Sequence, residues 1–269
     1  MSTHSVVFDV DESLVHSIIL TPTEYERFLK KYKPELIKTG TFQQRYYHFE
    51  IKDKTGSVDH VIGVIRPGAI PFLNWVFETF KGKVGFWSAG QKDYVEPLVK
   101  IIMSKLANPK YKPAFVLTYN DVEKTADDDI WKPLRTLYLL FPGLMTERST
   151  WFLDDNPDYA KEDLLNWIQL PPFEVTLKTL ALETDDVFPK VKAFLDTVKT
   201  AHDVRQIPKM WCKHPTKHIV VRTEERRKTS TAPLKVKGSE KEGEEKKKAA
   251  TPRKKLKKVK SKSSSKAKS

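Results

Sequence analysis

Val6-Val7-Phe8-Asp9-Val10-Asp11-Glu12-Ser13-Leu14 is an apolar run that ends in two carboxylates and a hydroxyl. Successive side chains of a strand point to opposite faces, so residues i and i+2 share one. Asp9 and Asp11 can therefore address one reacting group, provided the strand stops there and the chain turns. A pair of this kind suits aspartyl-phosphate chemistry, in which one carboxylate attacks phosphorus and the other handles the proton. Short motifs also arise by chance, so the downstream sequence decides.

Residues 1–16 read as a strand entering a catalytic loop. Residues 21–38 read as a helix that Thr21 or Thr23 can cap, with acids early and lysines late. Residues 46–52 and 60–65 flank Lys54-Thr55-Gly56-Ser57 as a hairpin, and Arg66-Pro67-Gly68 ends it. Pro71 marks the start of a helix in which Phe72, Trp75, Val76 and Phe80 recur at helical spacing. Val84-Gly85-Phe86-Trp87 is a short buried-type strand ending in Ser88-Ala89-Gly90. A helix over 94–106 follows, with Pro97 tolerated in its first turn. Residues 115–119 suit a strand and 134–141 a short helix. Trp151-Phe152-Leu153 is a strand ending in Asp154-Asp155-Asn156-Pro157. Residues 175–182 read as the last sheet element and 186–200 as a closing helix. Short apolar strands alternating with amphipathic helices imply an α/β fold: a central parallel sheet with helices on both faces.

The charge divides the chain. Residues 222–269 hold 19 Lys/Arg against 6 Asp/Glu, which accounts for the whole net charge of +13. The stretch 235–269 is rich in Lys, Ser and Glu and has no aromatic residue, so it cannot bury a core of its own. Two units are expected: a catalytic domain over 1–205 and a basic, largely disordered tail over 206–269. A single cysteine, Cys212, excludes an internal disulfide and suits a reducing compartment. Cys212, His214 and His218 are spaced like part of a zinc site without a fourth ligand, and ordinary surface residues are the plainer reading. No secretory signal or membrane span is visible, which points to a nuclear or cytoplasmic protein that is not secreted.

Three strands end in reactive groups: Asp9 with Asp11, Ser88, and Asp154 with Asp155. Ligands of open α/β sheets bind at the carboxyl ends of the strands, which brings these segments to one cleft. Each group alone suits a turn, but all three in order, with a lysine between the last two, suit catalysis far better.

The order D-x-D-x-S/T, R-P-G, S/T-A, Lys, D-D/N-x-P resembles the haloacid-dehalogenase superfamily. The block Phe8-Asp9-Val10-Asp11-Glu12-Ser13-Leu14-Val15-His16-Ser17 is similar to the F-D-L-D-E-T-L-V-H-S of FCP/SCP-type phosphatases, which act on the C-terminal domain (CTD) of RNA polymerase II. Arg66-Pro67-Gly68, Phe86-Trp87-Ser88-Ala89-Gly90, Trp131-Lys132-Pro133-Leu134 and Asp154-Asp155-Asn156-Pro157 extend the match over roughly residues 3–200. The resemblance implies a Rossmann-like fold of that superfamily with a small β-hairpin flap. It implies Asp9 as nucleophile and Asp11 as general acid/base. Mg²⁺ would be held by Asp9, Asp155 and the Asp11 carbonyl. Ser88 would hold a phosphoryl oxygen, and Lys132 would neutralise charge, itself held by Asp154; Ser13 is a supporting hydroxyl. Ser13 and Ser88 stand where the family usually has Thr. The segment between Lys132 and Asp154 is longer than usual, which leaves Lys124 as the alternative lysine.

If the hairpin forms the family's substrate-facing flap, Tyr46, Tyr47 and Phe49 would meet a Pro-containing peptide, although core packing is their plainer role. The implied substrate is phosphoserine or phosphothreonine in a protein, with the polymerase tail as the substrate the resemblance suggests. Alternatives are a phosphatase of nucleic-acid ends or small phosphometabolites on the same fold, and a non-catalytic adaptor for phosphoproteins or nucleic acid. Residues 252–260 (PRKKLKKVK) read as a nuclear-localisation or nucleic-acid patch, with non-specific phosphate contact.

Overall fold

The computed structural model of the chain describes residues 3–38, 44–52, 56–124, 129–174 and 185–207. In chain order the first elements are β1 (Ser5–Phe8), β2 (Val15–Leu20), α1 (Pro22–Lys38), β3 (Tyr46–Lys52), β4 (Val58–Ile65) and α2 (Ala69–Thr79). Next come β5 (Val84–Trp87), α3 (Lys92–Ser104), β6 (Val116–Leu117), β7 (Glu123–Lys124) and β8 (Ile130–Trp131). The last are α4 (Leu134–Leu140), β9 (Thr150–Asp154), β10 (Trp167–Gln169) and α5 (Val187–Val198).

Strands β10, β9, β1, β5 and β6 lie side by side in that order, each parallel to its neighbours. The first strand is thus the middle of the sheet and is covered on both faces. Val6 and Phe8 point into a core shared with α2, α3 and α5, while Val7 points into a second core with α4. That arrangement explains why these strands read as continuous apolar runs rather than alternating ones. The expected α/β architecture, with helices on both faces of a parallel sheet, is the one adopted.

Local chemistry sets the flanking helices. Thr21 caps α1 through a reciprocal box: its N–H donates to Glu24 Oε2 at 3.0 Å and its Oγ1 accepts from the Glu24 N–H at 3.4 Å. Phe72, Leu73, Val76 and Phe77 form the buried stripe of α2. α3 begins two residues earlier than its apolar spacing implies, so Pro97 falls in the second turn and gives up a helical N–H there.

The flap is larger than a hairpin. Val15–Leu20, of which only residues 15 and 16 were read above and then as part of the catalytic loop, is a strand that pairs antiparallel with β4, and β3 pairs with the other edge of β4. Tyr47, Phe49 and Ile51 share the face of β3 turned toward the domain, with the Phe49 ring 6.1 Å from Tyr94. His48 lies on the other face, stacked with Tyr25 of α1 at 4.7 Å.

Arg66 ties the region below the site together. Its guanidinium is 3% exposed. It bonds Asp185 at 2.7 Å and donates to the Pro171 carbonyl at 2.8 Å and the Ser13 carbonyl at 3.3 Å. Breaking a buried pair of this kind from one side costs about 3–5 kcal/mol.

The sheet element expected over 175–182 lies outside the described residues; among the described residues β10 is the strand at that edge. Val204 is buried, and Ile207, two residues beyond the expected boundary at 205, still packs on the core. Cys212, His214, His218 and the rest of the expected tail, 208–269, lie outside the described residues. Among the described residues no helix is long and apolar enough to cross a membrane.

Candidate active site

Register brings the reactive groups level. Phe8 pairs with Leu153 on one side and Phe86 on the other. One step on, Asp9 therefore lies beside Asp154, and its N–H donates to the Leu153 carbonyl at 2.8 Å. Ser88 follows β5 by one residue. Beyond Asp9 the chain folds back at once: Leu14 N–H donates to the Val10 carbonyl at 2.9 Å and Glu12 N–H to the Val15 carbonyl at 2.8 Å. Glu12 takes φ of 56° in this turn, a left-handed conformation uncommon outside glycine and enriched at functional sites.

Lys132 is fully buried and sits between two carboxylates. Its ammonium donates to Asp9 Oδ1 at 2.5 Å and Asp154 Oδ2 at 2.9 Å, and lies 4.5 Å from the centre of the Tyr159 ring. Burial alone would lower its pKa; Asp154 and Asp9 more than reverse this, so the ammonium is held charged. Burial also opposes the charge on Asp154, against the pull of Lys132 and of the Asn156 N–H at 2.8 Å. Burial prevails, and the Asp154 carboxyl is raised well above the ordinary carboxylate value, with Lys132 the main pull in the other direction.

Asp11 occupies a different environment. Ser88 Oγ donates to its Oδ2 at 2.9 Å and Tyr94 donates its phenolic proton to Oδ1. Burial, then the charge of Asp9, pushes the Asp11 carboxyl up to about 6, against the hydrogen bonds from Tyr94 and Ser88. Two carboxylates of one motif are thus set apart by their surroundings, one against an ammonium and one among hydroxyls.

Asp155 completes a third feature. Carboxylate oxygens of Asp9, Asp154 and Asp155 all lie within 4.8 Å of one another. Ser13 Oγ reaches Asp155 Oδ1 at 3.4 Å. Burial, with the charges of Asp9 and Glu12, raises the Asp155 carboxyl to about 7. Three carboxylates thus crowd together beside one ammonium. The free donors of the cluster are hard carboxylate oxygens, a set that fits an oxygen-seeking divalent cation. Asp154 is the member least available, since Lys132 and the Asn156 amide occupy its two oxygens.

The seven residues singled out from the sequence (Asp9, Asp11, Ser13, Ser88, Lys132, Asp154 and Asp155) thus converge at the ends of β9, β1 and β5. The alternative lysine does not join them: Lys124 Nζ lies 3.8 Å from the centre of the Tyr119 ring. Sequence reasoning missed Tyr94 and the hydroxyls behind it. Tyr94 Oη and Ser17 Oγ are 2.6 Å apart, and Ser17 Oγ and Tyr47 Oη another 2.6 Å. A phenol has one proton, so with that proton on Asp11 the chain of donors runs Tyr47 to Ser17 to Tyr94 to Asp11. Tyr47 is therefore not a surface for peptide; it is 4% exposed. A Cβ at Gly63 would overlap its hydroxyl, which is why glycine stands across the sheet from it. Ser17, the end of the Leu14-Val15-His16-Ser17 extension, was the one visible signal.

A family model described as NLI interacting factor-like phosphatase matches residues 4–205. Among solved structures, Fcp1, an essential RNA polymerase II CTD phosphatase, aligns with 18% identity and a TM-score of 0.49, covering 85% of this chain. Fission yeast Fcp1 bound to beryllium fluoride, in a variant form, aligns with 17% identity and a TM-score of 0.47, also covering 85% of this chain. The chain spans 65% of the length of each of these Fcp1 chains. A search of curated proteins finds no match.

Proposed function

Because the chain belongs to the NLI interacting factor-like phosphatase family, we propose that it is a Mg²⁺-dependent protein serine/threonine phosphatase working through an aspartyl-phosphate. The observation that carries this reading is the division of labour between Asp9, held at 2.5 Å by Lys132, and Asp11, held by two hydroxyls.

In the proposed mechanism Lys132 occupies Oδ1 of Asp9, which leaves Oδ2 to attack phosphorus. A bond forms from Oδ2 to phosphorus as the bond from phosphorus to the serine or threonine oxygen breaks. Asp11, whose carboxyl burial pushes up to about 6, gives its proton to the departing alkoxide. In the second half Asp11 takes a proton from water, the water oxygen displaces Asp9 from phosphorus, and inorganic phosphate leaves. Ser88 turns its hydroxyl from Asp11 to a phosphoryl oxygen. Lys132 offsets the charge that gathers on Asp9 and the phosphoryl group. Asp9, Asp155 and the Asp11 carbonyl would hold a Mg²⁺ ion, which when bound would supply the charge neutralisation that an anionic nucleophile needs to approach an anionic phosphate.

A disordered phosphopeptide is the proposed substrate, and the polymerase CTD is the one the family resemblance points to. Residues 1–205 are proposed as the catalytic domain and 206–269 as a basic tail that directs the protein to the nucleus and touches nucleic acid non-specifically. The test is turnover of phosphopeptides, 3′-phosphate oligonucleotides and an aryl phosphate, with and without Mg²⁺, by wild type and Asp9→Asn. Loss of all turnover in Asp9→Asn and preference for phosphopeptides are expected. Activity surviving in that variant, or a preference for the oligonucleotide, would overturn the assignment.

A further inference from the structure

Beside Asp11 lies a cavity of about 380 Å³ between the flap and the start of α3. This is near the small end of ligand clefts, which run about 300–1,000 Å³. Its walls are apolar: Ile19 of β2, Ile51 of β3 and the ring of Tyr94. Ile19 is 52% exposed, so the flap presents an uncovered isoleucine to this space. The same Tyr94 whose hydroxyl holds Asp11 forms the floor, which makes the cavity continuous with the candidate active site.

The rim is charged, and unevenly. Asp59 of β4 stands directly across the sheet from Ile51, and Asp93 projects from the first turn of α3. Among the described residues that line it, Lys52 is the one cation. Neither aspartate forms an ion pair or side-chain hydrogen bond among the described residues. Asp93 also suits the positive end of a helix; Asp59, the second residue of β4 and beyond the reach of β2, has no helix end to serve. An apolar throat with a surplus of carboxylate at its mouth is complementary to a side chain with a hydrocarbon stem and a cationic head.

We propose that this cavity is a specificity pocket for a lysine or arginine of the substrate, so that the enzyme selects phosphoserine or phosphothreonine sites flanked by a basic residue. The proposal rests on the phosphatase reading above and narrows it. The phosphate is drawn to Lys132 and the basic head to Asp59 and Asp93, and the two ends of the substrate motif are read by opposite charges. A pocket of apolar walls alone would accept proline or methionine equally well; the rim carboxylates are what distinguish the cation.

The test uses the full chain and synthetic phosphoserine peptides that differ at one position. Lysine, methionine, proline or glutamate is placed at each of the three positions on either side of the phosphorylated residue. Three residues reach about 10 Å along an extended chain. The methionine peptide keeps the stem and drops the charge. Exposed ion pairs are each worth a factor of about 1.5 to 5, so two give a lysine-over-methionine ratio in kcat/KM of about 2 to 25 at one position. That ratio is expected to fall toward unity in Asp59→Asn/Asp93→Asn and at high salt. Methionine or proline peptides handled as well as lysine at every position, or a ratio unmoved in the double variant, would overturn the proposal. Aryl phosphate turnover follows the phosphatase reading separately. Peptide affinity for Asp9→Asn gives the same ratio without catalysis, so the pocket is tested even if turnover is nil.

Discussion

Replacing Lys132 by methionine is expected to be among the most destabilising single changes in the domain. Methionine keeps the length of the stem and removes only the ammonium. In the native protein that ammonium is fully buried, 2.5 Å from Asp9 and 2.9 Å from Asp154, with those side chains 5% and 0% exposed. Its loss leaves two carboxylates facing each other with no counter-charge and little access to water. Breaking a buried pair from one side costs about 3–5 kcal/mol. At about 2–4 °C per kcal/mol for domains of about 150–250 residues, Tm should fall by about 6–20 °C. The assay is thermal and denaturant unfolding with divalent ions chelated, so that no cation substitutes for the lysine. Asp154→Asn should rescue part of the loss: Lys132→Met/Asp154→Asn should be more stable than the two single effects imply, by about 1–3 kcal/mol of coupling. A Tm within about 2 °C of wild type, or strict additivity in the cycle, would refute the placement of this lysine between the two carboxylates.

Three further outcomes are expected. Tyr94→Phe removes the phenolic donor to Asp11 and should lower kcat on phosphoserine peptides by about 10- to 100-fold. Aryl phosphates, whose leaving group needs little protonation, should lose clearly less; equal losses on both would contradict the role of Tyr94 in holding the acid. Mg²⁺ at a hundredfold excess over its Kd should stabilise wild type by about 2.7 kcal/mol. Asp155→Asn should lose most of that shift, and an undiminished shift would remove Asp155 from the cation site. His4 is buried with Nδ1 accepting from the Trp151 indole at 3.2 Å and Nε2 on the Ala201 carbonyl at 2.7 Å. Burial lowers its pKa, so its contribution is present above the unfolded histidine value of about 6.5 and lost as pH falls through the folded value. The stability gap between wild type and His4→Gln should therefore be about 1–2 kcal/mol near pH 8 and shrink below pH 6; a gap constant with pH would contradict it.

What the sequence revealed and what it hid follow from the range of the forces involved. Asp9, Ser88 and Asp154 were legible because each ends a short apolar run, and a parallel sheet collects such ends on one edge. Lys132 was legible only through the family resemblance, with Lys124 left open, because seven lysines lie between the last two runs. The strand Val15–Leu20 was not, because the catalytic loop feeds into it with no glycine or proline to mark its start. The edge strand Trp167–Gln169 is three residues long, too short for any periodicity. Tyr47 and Tyr94 were hidden for a deeper reason. Their hydroxyls find Ser17 and Asp11 across 30, 77 and 83 positions of chain, contacts fixed by packing of the flap on α3. The glycine that admits Tyr47 sits on another strand, so its meaning appears only once the register is known.

Acid-quenched single turnover followed by peptide mapping in a mass spectrometer addresses the central claim most directly. With a phosphopeptide and Mg²⁺, the account predicts a transient phosphoryl group on Asp9 of the wild-type protein, which borohydride should reduce to homoserine at that position. Full turnover with Asp9 unmodified throughout, or phosphoryl trapped on another residue, would contradict it.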